Sequence, residues 1–332
     1  NTSGKSNLIE SIYLLSSGKS FRAEKDSQMV NFGHEMGRVR AKTSENELEV
    51  VITVGEVSGV RSQFKRFFVN GVAKRRAEYV GNLPAVLFSP EDLEIIVGGP
   101  SLRRSFLDNV LEQTDRDYRI ALLGFTKALR QRNALLEVAK DTRSAGSGQA
   151  GRRSEKEFEY WDSLVIRNGA VITRKREEFV DWLNKAGKEI LDFKIEYDKS
   201  VISRERLDQY RDAESASGVT LVGPHRDDFF VFFERKDLRS FGSRGQQRLG
   251  VLQLKLLELA YVRQRVENDL PATPALAWQA GPILLLDDVF SELDEDHILL
   301  ILGIIDNQQT IVTTTHEEFI PTRIKGTMEV IE

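Results

Sequence analysis

The sequence predicts an α/β fold built on a P-loop core, with an all-helical arm inserted into it. Three observations carry this expectation. First, Pro282-Ile283-Leu284-Leu285-Leu286-Asp287-Asp288 places an aliphatic run ahead of two acids. Such a run reads as a parallel strand buried on both faces that delivers carboxylates to its C-terminal edge, where open α/β sheets bind ligands. Second, Gly4-Lys5-Ser6 opens the amphipathic stretch Leu8-Ile9-Glu10-Ser11-Ile12-Tyr13-Leu14-Leu15, which reads as the second half of G-x-x-x-x-G-K-[ST]. Third, from residue 105 to about 195 apolar residues such as Leu107, Val110, Leu111, Ile120 and Leu123 recur at three- and four-residue steps.

Composition narrows the class. A chain of 332 residues has room for two domains, or for one core with an insertion. No stretch approaches 18 uncharged apolar residues, which argues against a membrane-spanning helix. Zero cysteines exclude disulfides and thiolate metal sites, so a cytoplasmic protein without membrane partners is expected. The net charge is −4, so any contact with nucleic acid has to come from local basic patches.

The chain begins inside its first motif. The opening glycine would stand two residues before Asn1, with the strand that feeds it, so the native start is expected upstream. In Asn1-Thr2-Ser3-Gly4-Lys5-Ser6-Asn7, backbone N–H groups of the loop and helix start cradle phosphates. Lys5 reaches the β- and γ-phosphates and the Ser6 hydroxyl ligates Mg²⁺. Taken alone, Gly-Lys-Ser also fits a chance helix start, and Asp287-Asp288 a core strand with a polar end. Together they specify a phosphate cradle and a metal ligand, plus a base for an attacking water.

Residues 18–80 read as an antiparallel sheet, with Asn70-Gly71 as a hairpin signal. Lys65, Arg66, Lys74, Arg75 and Arg76 crowd one part of it, as a solvated charged face or as a contact for a phosphate backbone. Ser89-Pro90-Glu91-Asp92 is expected to cap a helix that Gly98-Gly99-Pro100 ends. Asp141–Ser154 reads as a flexible polar loop at the tip of two long antiparallel helices. Strands are expected at 193–201 and 229–233. His225 between them reads better as a hydrogen-bonded loop histidine than as a catalytic one, since no nucleophile motif accompanies it. Ser243-Arg244-Gly245-Gln246-Gln247-Arg248 leads into a buried helix over 249–262. Its start is either an ordinary cap with Ser243 as the capping residue, or an anion site for the γ-phosphate of nucleotide held by another copy. Gln309–His316 reads as a further strand, with His316 at the same sheet edge as the acids.

Several ordered motifs complete the reading: Gly18-Lys19-Ser20-Phe21-Arg22, Phe88-Ser89-Pro90-Glu91-Asp92-Leu93, Arg103-Arg104-Ser105-Phe106-Leu107-Asp108, Ala128-Leu129-Arg130-Gln131-Arg132-Asn133-Ala134-Leu135-Leu136 and Gly223-Pro224-His225-Arg226-Asp227-Asp228. With Ser243–Arg248 and Leu285–Asp294, the set resembles the RecF family of bacterial recombinational-repair ATPases, within the ABC/SMC-like superfamily. The resemblance covers essentially the whole chain. It implies an ABC/SMC-type ATPase head, a mixed sheet with flanking helices, over 1–104 and 193–332, with a helical domain inserted over 105–192 and a flexible tip at 141–154.

It further implies ATP and Mg²⁺ as ligands, with ATP sandwiched between two copies. By motif match Lys5 holds phosphate, Ser6 and Asp287 hold Mg²⁺, and Asp288 replaces the usual catalytic glutamate. Ser243, Gly245 and Gln246 act in trans on the partner's γ-phosphate, Asp294 lies in the loop facing the partner, and His316 matches the switch histidine. Two departures stand out. Asp288 is shorter in reach than glutamate, which suits slow, switch-like hydrolysis. No glutamine matches the family's Q-loop, for which Gln63 is a poor candidate. The implied function is ATP-dependent, sequence-independent binding of duplex DNA or duplex/single-strand junctions, with mediator proteins RecR and RecO as partners, in recombinase loading, replication restart and SOS induction. The nucleotide-binding subunit of an ABC-type transporter and a small-molecule P-loop kinase are the alternatives from other classes.

Overall fold

The computed structural model describes residues 4–144, 151–269, 281–289, 298, 303 and 308–314, with only the backbone described at 142–144, 151–154, 268 and 269. In chain order the elements are α1 (Lys5–Ser17), β1 (Met36–Lys42), β2 (Glu47–Thr53), β3 (Glu56–Val57), β4 (Val60–Arg61), β5 (Lys65–Val69), β6 (Val72–Lys74), α2 (Arg76–Tyr79), β7 (Ala85–Phe88), α3 (Glu94–Val97), α4 (Pro100–Thr114), α5 (Arg116–Ser144) and α6 (Gly151–Lys185). They continue with β8 (Lys194–Asp198), α7 (Arg204–Ser217), β9 (Asp228–Phe233), β10 (Lys236–Asp237), α8 (Leu238–Phe241), α9 (Arg244–Asp269), β11 (Ile283–Asp287) and β12 (Thr310–Thr313).

The chain divides into two compact units, one of residues 1–92 and 254–332 and one of 93–253. In the first, the aliphatic run forms β11, the middle strand of a parallel sheet ordered β12-β11-β7. Leu284, Leu285 and Leu286 are buried, as expected of a strand covered on both faces. Helix α1 packs Ile9 and Tyr13 against Ala85, Leu87 and Leu285. The antiparallel sheet expected over 18–80 is present, ordered β1-β2-β5-β6. Its inner face gathers Leu48, Val50, Ile52 and Phe67 over Leu14, Leu15 and Tyr79.

The second unit is larger than the arm expected over 105–192. It takes in α3, α4, the antiparallel sheet β10-β9-β8, α7, α8 and α9 as far as Gln253. The reason is packing. Phe106 of α4 meets both Phe179 of α6 and Phe229 of β9, each at 6.2 Å between ring centroids. These elements therefore share one apolar centre with the long helices. The expected loop over Asp141–Ser154 is helical at 141–144 and 151–154, and its middle lies outside the described residues. Ser89–Asp92 leads into a 3₁₀ turn, and α3 follows as a single turn before Gly98.

Candidate functional site

In the first unit, the Gly-Lys-Ser segment and the acidic strand meet. Gly4 caps α1 with φ 75°, a left-handed conformation that glycine adopts without a Cβ penalty. No side chain caps this helix start and no acid occupies its first turn, so its amides stay available to an anion. Lys5 Nζ donates to the Thr314 carbonyl just past β12, at 3.0 Å. Ser6 Oγ lies 3.5 Å from Asp287 Oδ1, at the limit of a hydrogen bond. The same carboxylate oxygen accepts a firm 2.6 Å bond from Thr313 Oγ1. Two strands and one helix thus converge a hydroxyl, a carboxylate and an ammonium on the C-terminal edge of the parallel sheet.

Asp288 follows with φ 54°, and its N–H donates to the Thr313 carbonyl at 3.0 Å. A non-glycine residue held in the left-handed region stores strain, and such positions cluster at working sites. The donor set fits a hard divalent cation, since Ser6 and Asp287 both offer oxygen. No group of three or more His, Cys, Asp or Glu that could hold a metal occurs among the described residues. Ser6 and Asp287 would suit Mg²⁺, which takes one or two protein carboxylates and relies on phosphates and water for the rest. Asn7 lies in the first turn of α1. Asn1, Thr2, Ser3, Asp294 and His316 lie outside the described residues. Gln63 is exposed and its carbonyl serves the antiparallel sheet, accepting from Thr53 Oγ1.

Ser243, Gly245 and Gln246 stand at the start of α9, in the part belonging to the second unit. Ser243 Oγ accepts from the Gln246 N–H at 3.2 Å, and Gln246 Oε1 accepts from the Ser243 N–H at 2.9 Å. This is a reciprocal capping box. In this state each of the two side chains predicted to reach a partner's phosphate accepts from the other residue's backbone N–H, at the helix start.

The basic stretch at 65–76 splits by role. Lys65 Nζ pairs with Asp26 at 2.7 Å and donates to the Gly18 carbonyl, while Arg76 donates to the Ser17 carbonyl at 2.7 Å. Both neutralise the last carbonyls of α1, where cations are favoured. Only Arg66, Lys74 and Arg75 are exposed. Gly18, at φ 70°, lies under the Phe67 ring and the Arg76 guanidinium, where a Cβ would be tight at 3.0–3.2 Å.

The motifs at 103–108, 128–136 and 223–228 lie in the second unit and carry buried ionic contacts. Arg103 grips Asp228 bidentately at 2.6 and 3.0 Å, and Arg104 donates to the Asp227 carbonyl at 2.7 Å. Asp227 is fully buried and accepts from Arg176 Nη1 (2.8 Å), the Ser200 N–H (2.7 Å) and Tyr197 OH. Arg176 also binds Asp108 and the Pro224 carbonyl, each at 2.7 Å. Nearby, Arg132 binds Asp162, Glu214 and Thr220. His225 is the loop histidine the sequence suggests. Its Nε2 lies 3.0 Å from the Thr220 carbonyl and its ring 5.8 Å from that of Phe125. Burial pushes its pKa down to about 4, so it is neutral at physiological pH.

A family model described as the RecF/RecN/SMC N terminal domain matches residues 1–330. The DNA replication and repair protein RecF of Moorella thermoacetica is 36% identical over 340 residues, covering 98% of this chain and 84% of that protein. The chain belongs to the RecF family. RecF of Thermomicrobium roseum is 34% identical over 376 residues, covering 99% of this chain and 89% of its own. A solved structure of the recombination mediator protein RecF with ATP, in the RecFOR pathway, superposes with TM-score 0.80 at 31% identity over 96% of this chain and 85% of that one. Its counterpart with ATPrS gives 0.79 at 32%, over 97% and 86%. The ABC/SMC-type head is therefore the fold of this chain, and a transporter subunit is not favoured. No helix among the described residues is long and apolar enough to cross a membrane.

Sequence reasoning missed Thr313 and Thr314 as partners of Asp287 and Lys5, although the polar end of the strand was visible. It also missed that the helix read as apolar on nearly all sides buries Lys255 against Glu258, with Asp92 3.8 Å away. The i,i+3 spacing of Lys255 and Glu258 carried that signal.

Proposed function

We propose that this chain is an ATP-dependent DNA clamp of recombinational repair, acting in the cytoplasm. It dimerises with ATP on duplex or gapped DNA without sequence preference, hydrolyses ATP slowly, and works with the mediators RecR and RecO in recombinase loading, replication restart and SOS induction. The observation that carries this is the meeting of Gly4-Lys5-Ser6 with Asp287 at the edge of the parallel sheet. The names of the relatives support the repair assignment, and the ATP-bound RecF neighbours support the nucleotide.

Lys5 Nζ exchanges the Thr314 carbonyl for the β- and γ-phosphates. Ser6 Oγ and Asp287 hold Mg²⁺, which supplies neutralisation of phosphate charge when bound. Asp288 orients the attacking water, and its short reach suits a clamp whose lifetime is set by slow turnover. Ser243 and Gln246 open their capping box and, with Gly245, meet the γ-phosphate on a second copy; Asp294 faces that copy, and His316 serves as the switch histidine. Binding to DNA is through phosphates, so affinity should fall ~10³-fold or more between 50 and 200 mM salt if six phosphates are neutralised.

Size-exclusion chromatography with ATP tests the sandwich. The wild-type chain is expected to dimerise, Lys5→Ala to bind no nucleotide and stay monomeric, and Ser243→Arg to bind ATP yet stay monomeric. ATP-dependent dimerisation of Lys5→Ala would refute the proposal.

A further inference from the structure

Phe32 is 101% exposed, the most exposed of the large hydrophobic residues among those described. It is not on a loose segment. The His34 N–H donates to the Asn31 carbonyl at 3.1 Å and Gly33 has φ 80°. That is the geometry of a type II turn, with Phe32 at its first central position. The backbone thus holds the ring out in water.

The turn leads into β1, and at most about 14 Å of chain separates Phe32 from Met36. From Met36 onward, cross-strand register defines one outward face of the antiparallel sheet. Arg38, Val51 and Arg66 form one row across it, Arg40, Glu49 and Phe68 the next, and Lys42 opposes Glu47. Directly opposed residues share a face. Four cations therefore stand there against two glutamates. Glu49 is shared by Arg38 at 2.8 Å and Arg40 at 3.3 Å, and Arg40 also reaches Glu47 at 3.2 Å. Val51, between Arg38 and Arg66 in the register, is buried on this outer face. The face is cationic on a chain whose net charge is −4. An exposed aromatic on a hydrogen-bonded turn, four residues ahead of a cationic strand face, suits a ligand with phosphates and an accessible π-face. Paired bases hide their faces in the stack, and unpaired bases offer them.

We infer that the Asn31–His34 turn and the outer face of β1, β2 and β5 form a junction-reading surface. Phe32 stacks on the first unpaired base of DNA whose adjoining duplex phosphates lie on Arg38, Arg40, Lys42 and Arg66. This rests on the proposed DNA-binding function and adds to it the part of the DNA that is recognised. It also moves the contact away from Lys65 and Arg76, which are committed to the end of α1.

Fluorescence anisotropy with the full chain, ATP, and either gapped or blunt duplex DNA tests it. Phe32→Ala should weaken binding to gapped DNA roughly tenfold, the scale of one lost base–aromatic stack, and leave blunt duplex within about twofold. Arg38→Glu with Arg66→Glu should weaken both substrates. Phe32→Trp should keep gapped-DNA affinity, with its added emission quenched by gapped DNA and not by blunt duplex. Equal effects of Phe32→Ala on both substrates, or none on either, would overturn the surface. Unchanged DNA binding together with lost capture of RecR or RecO would overturn it in favour of protein docking. If the wild-type chain binds neither DNA with ATP, the proposed function itself fails and this inference with it.

Discussion

The phosphate pole of the first unit and the ionic joint of the second are built from motifs that look alike in sequence. Gly-Lys-Ser and Leu-Asp-Asp make one; Arg-Arg-Ser and His-Arg-Asp-Asp make the other. They differ in how fully their charges are satisfied. Asp227 is completely buried and each of its carboxylate oxygens accepts protein donors. Asp287 is half-buried, with one firm bond from Thr313 and a long approach from Ser6. A saturated charge is structural, because adding a ligand there would break bonds already made. A charge with spare lone pairs and an exposed side is ready for a ligand. Hydrogen-bond saturation, more than residue type, separates the two regions.

The largest expected effect breaks the joint. Arg176→Met leaves Asp227 and Asp108 without their shared cation in a buried setting, which costs about 3–5 kcal/mol. Lys5→Met, at the open pole, should change stability by less than about 0.5 kcal/mol. Urea denaturation followed by tryptophan fluorescence measures both, since Trp161 and Trp182 lie on α6 of the second unit. Equal losses for the two variants would erase the distinction.

These two regions also show what was legible. The acidic strand and the lysine of the loop were readable because their chemistry requires fixed residue types at fixed spacing, and the sheet brought them together. The basic stretch at 65–76 was only half-readable. Lys65 and Arg76 look in sequence like Arg66 and Arg75, and only the register of β5 and the end of α1 turn two of them inward. The boundaries of the units were not legible, because Phe106, Phe179 and Phe229 come from segments 50 or more residues apart. Nothing local announces that contact. The capping box of Ser243 and Gln246 was visible as a cap or as an anion site, and the structure satisfies the cap without excluding the other role.

A smaller effect tests the joint by pH. Burial lowers the His225 pKa from 6.5 to about 4, so the unfolded state takes up a proton first as pH falls. Stability is therefore full above pH 6.5 and is lost as pH drops from 6.5 toward 4. The full shift would be worth about 3 kcal/mol; His225 is not wholly buried, so about 1–2 kcal/mol is expected. His225→Phe, beside the Phe125 ring, should flatten this part of the denaturation profile. An unchanged slope between pH 6.5 and 5 would place the acid sensitivity elsewhere.

An expected change in stability of the opposite sign, and smaller than that at His225, belongs to the open pole. Asp288 sits at φ 54°, where an aspartate is tolerated but strained and a glycine is not. Asp288→Gly should therefore stabilise the chain, or cost nothing, by up to about 1 kcal/mol after the larger entropy of an unfolded glycine is set against the relief. ATP turnover should fall in the same variant, because the group that orients water is gone. Asp288→Asn separates the two effects: the side chain keeps similar backbone tolerance and loses its charge, so turnover should fall without the gain in stability. If Asp288→Gly were instead destabilising while Asp288→Asn kept full turnover, Asp288 would be a turn residue and no more. If the glycine variant is the more stable and less active one, strain at this residue is maintained for the reaction, which is the opposite of what Asp227 does in the joint.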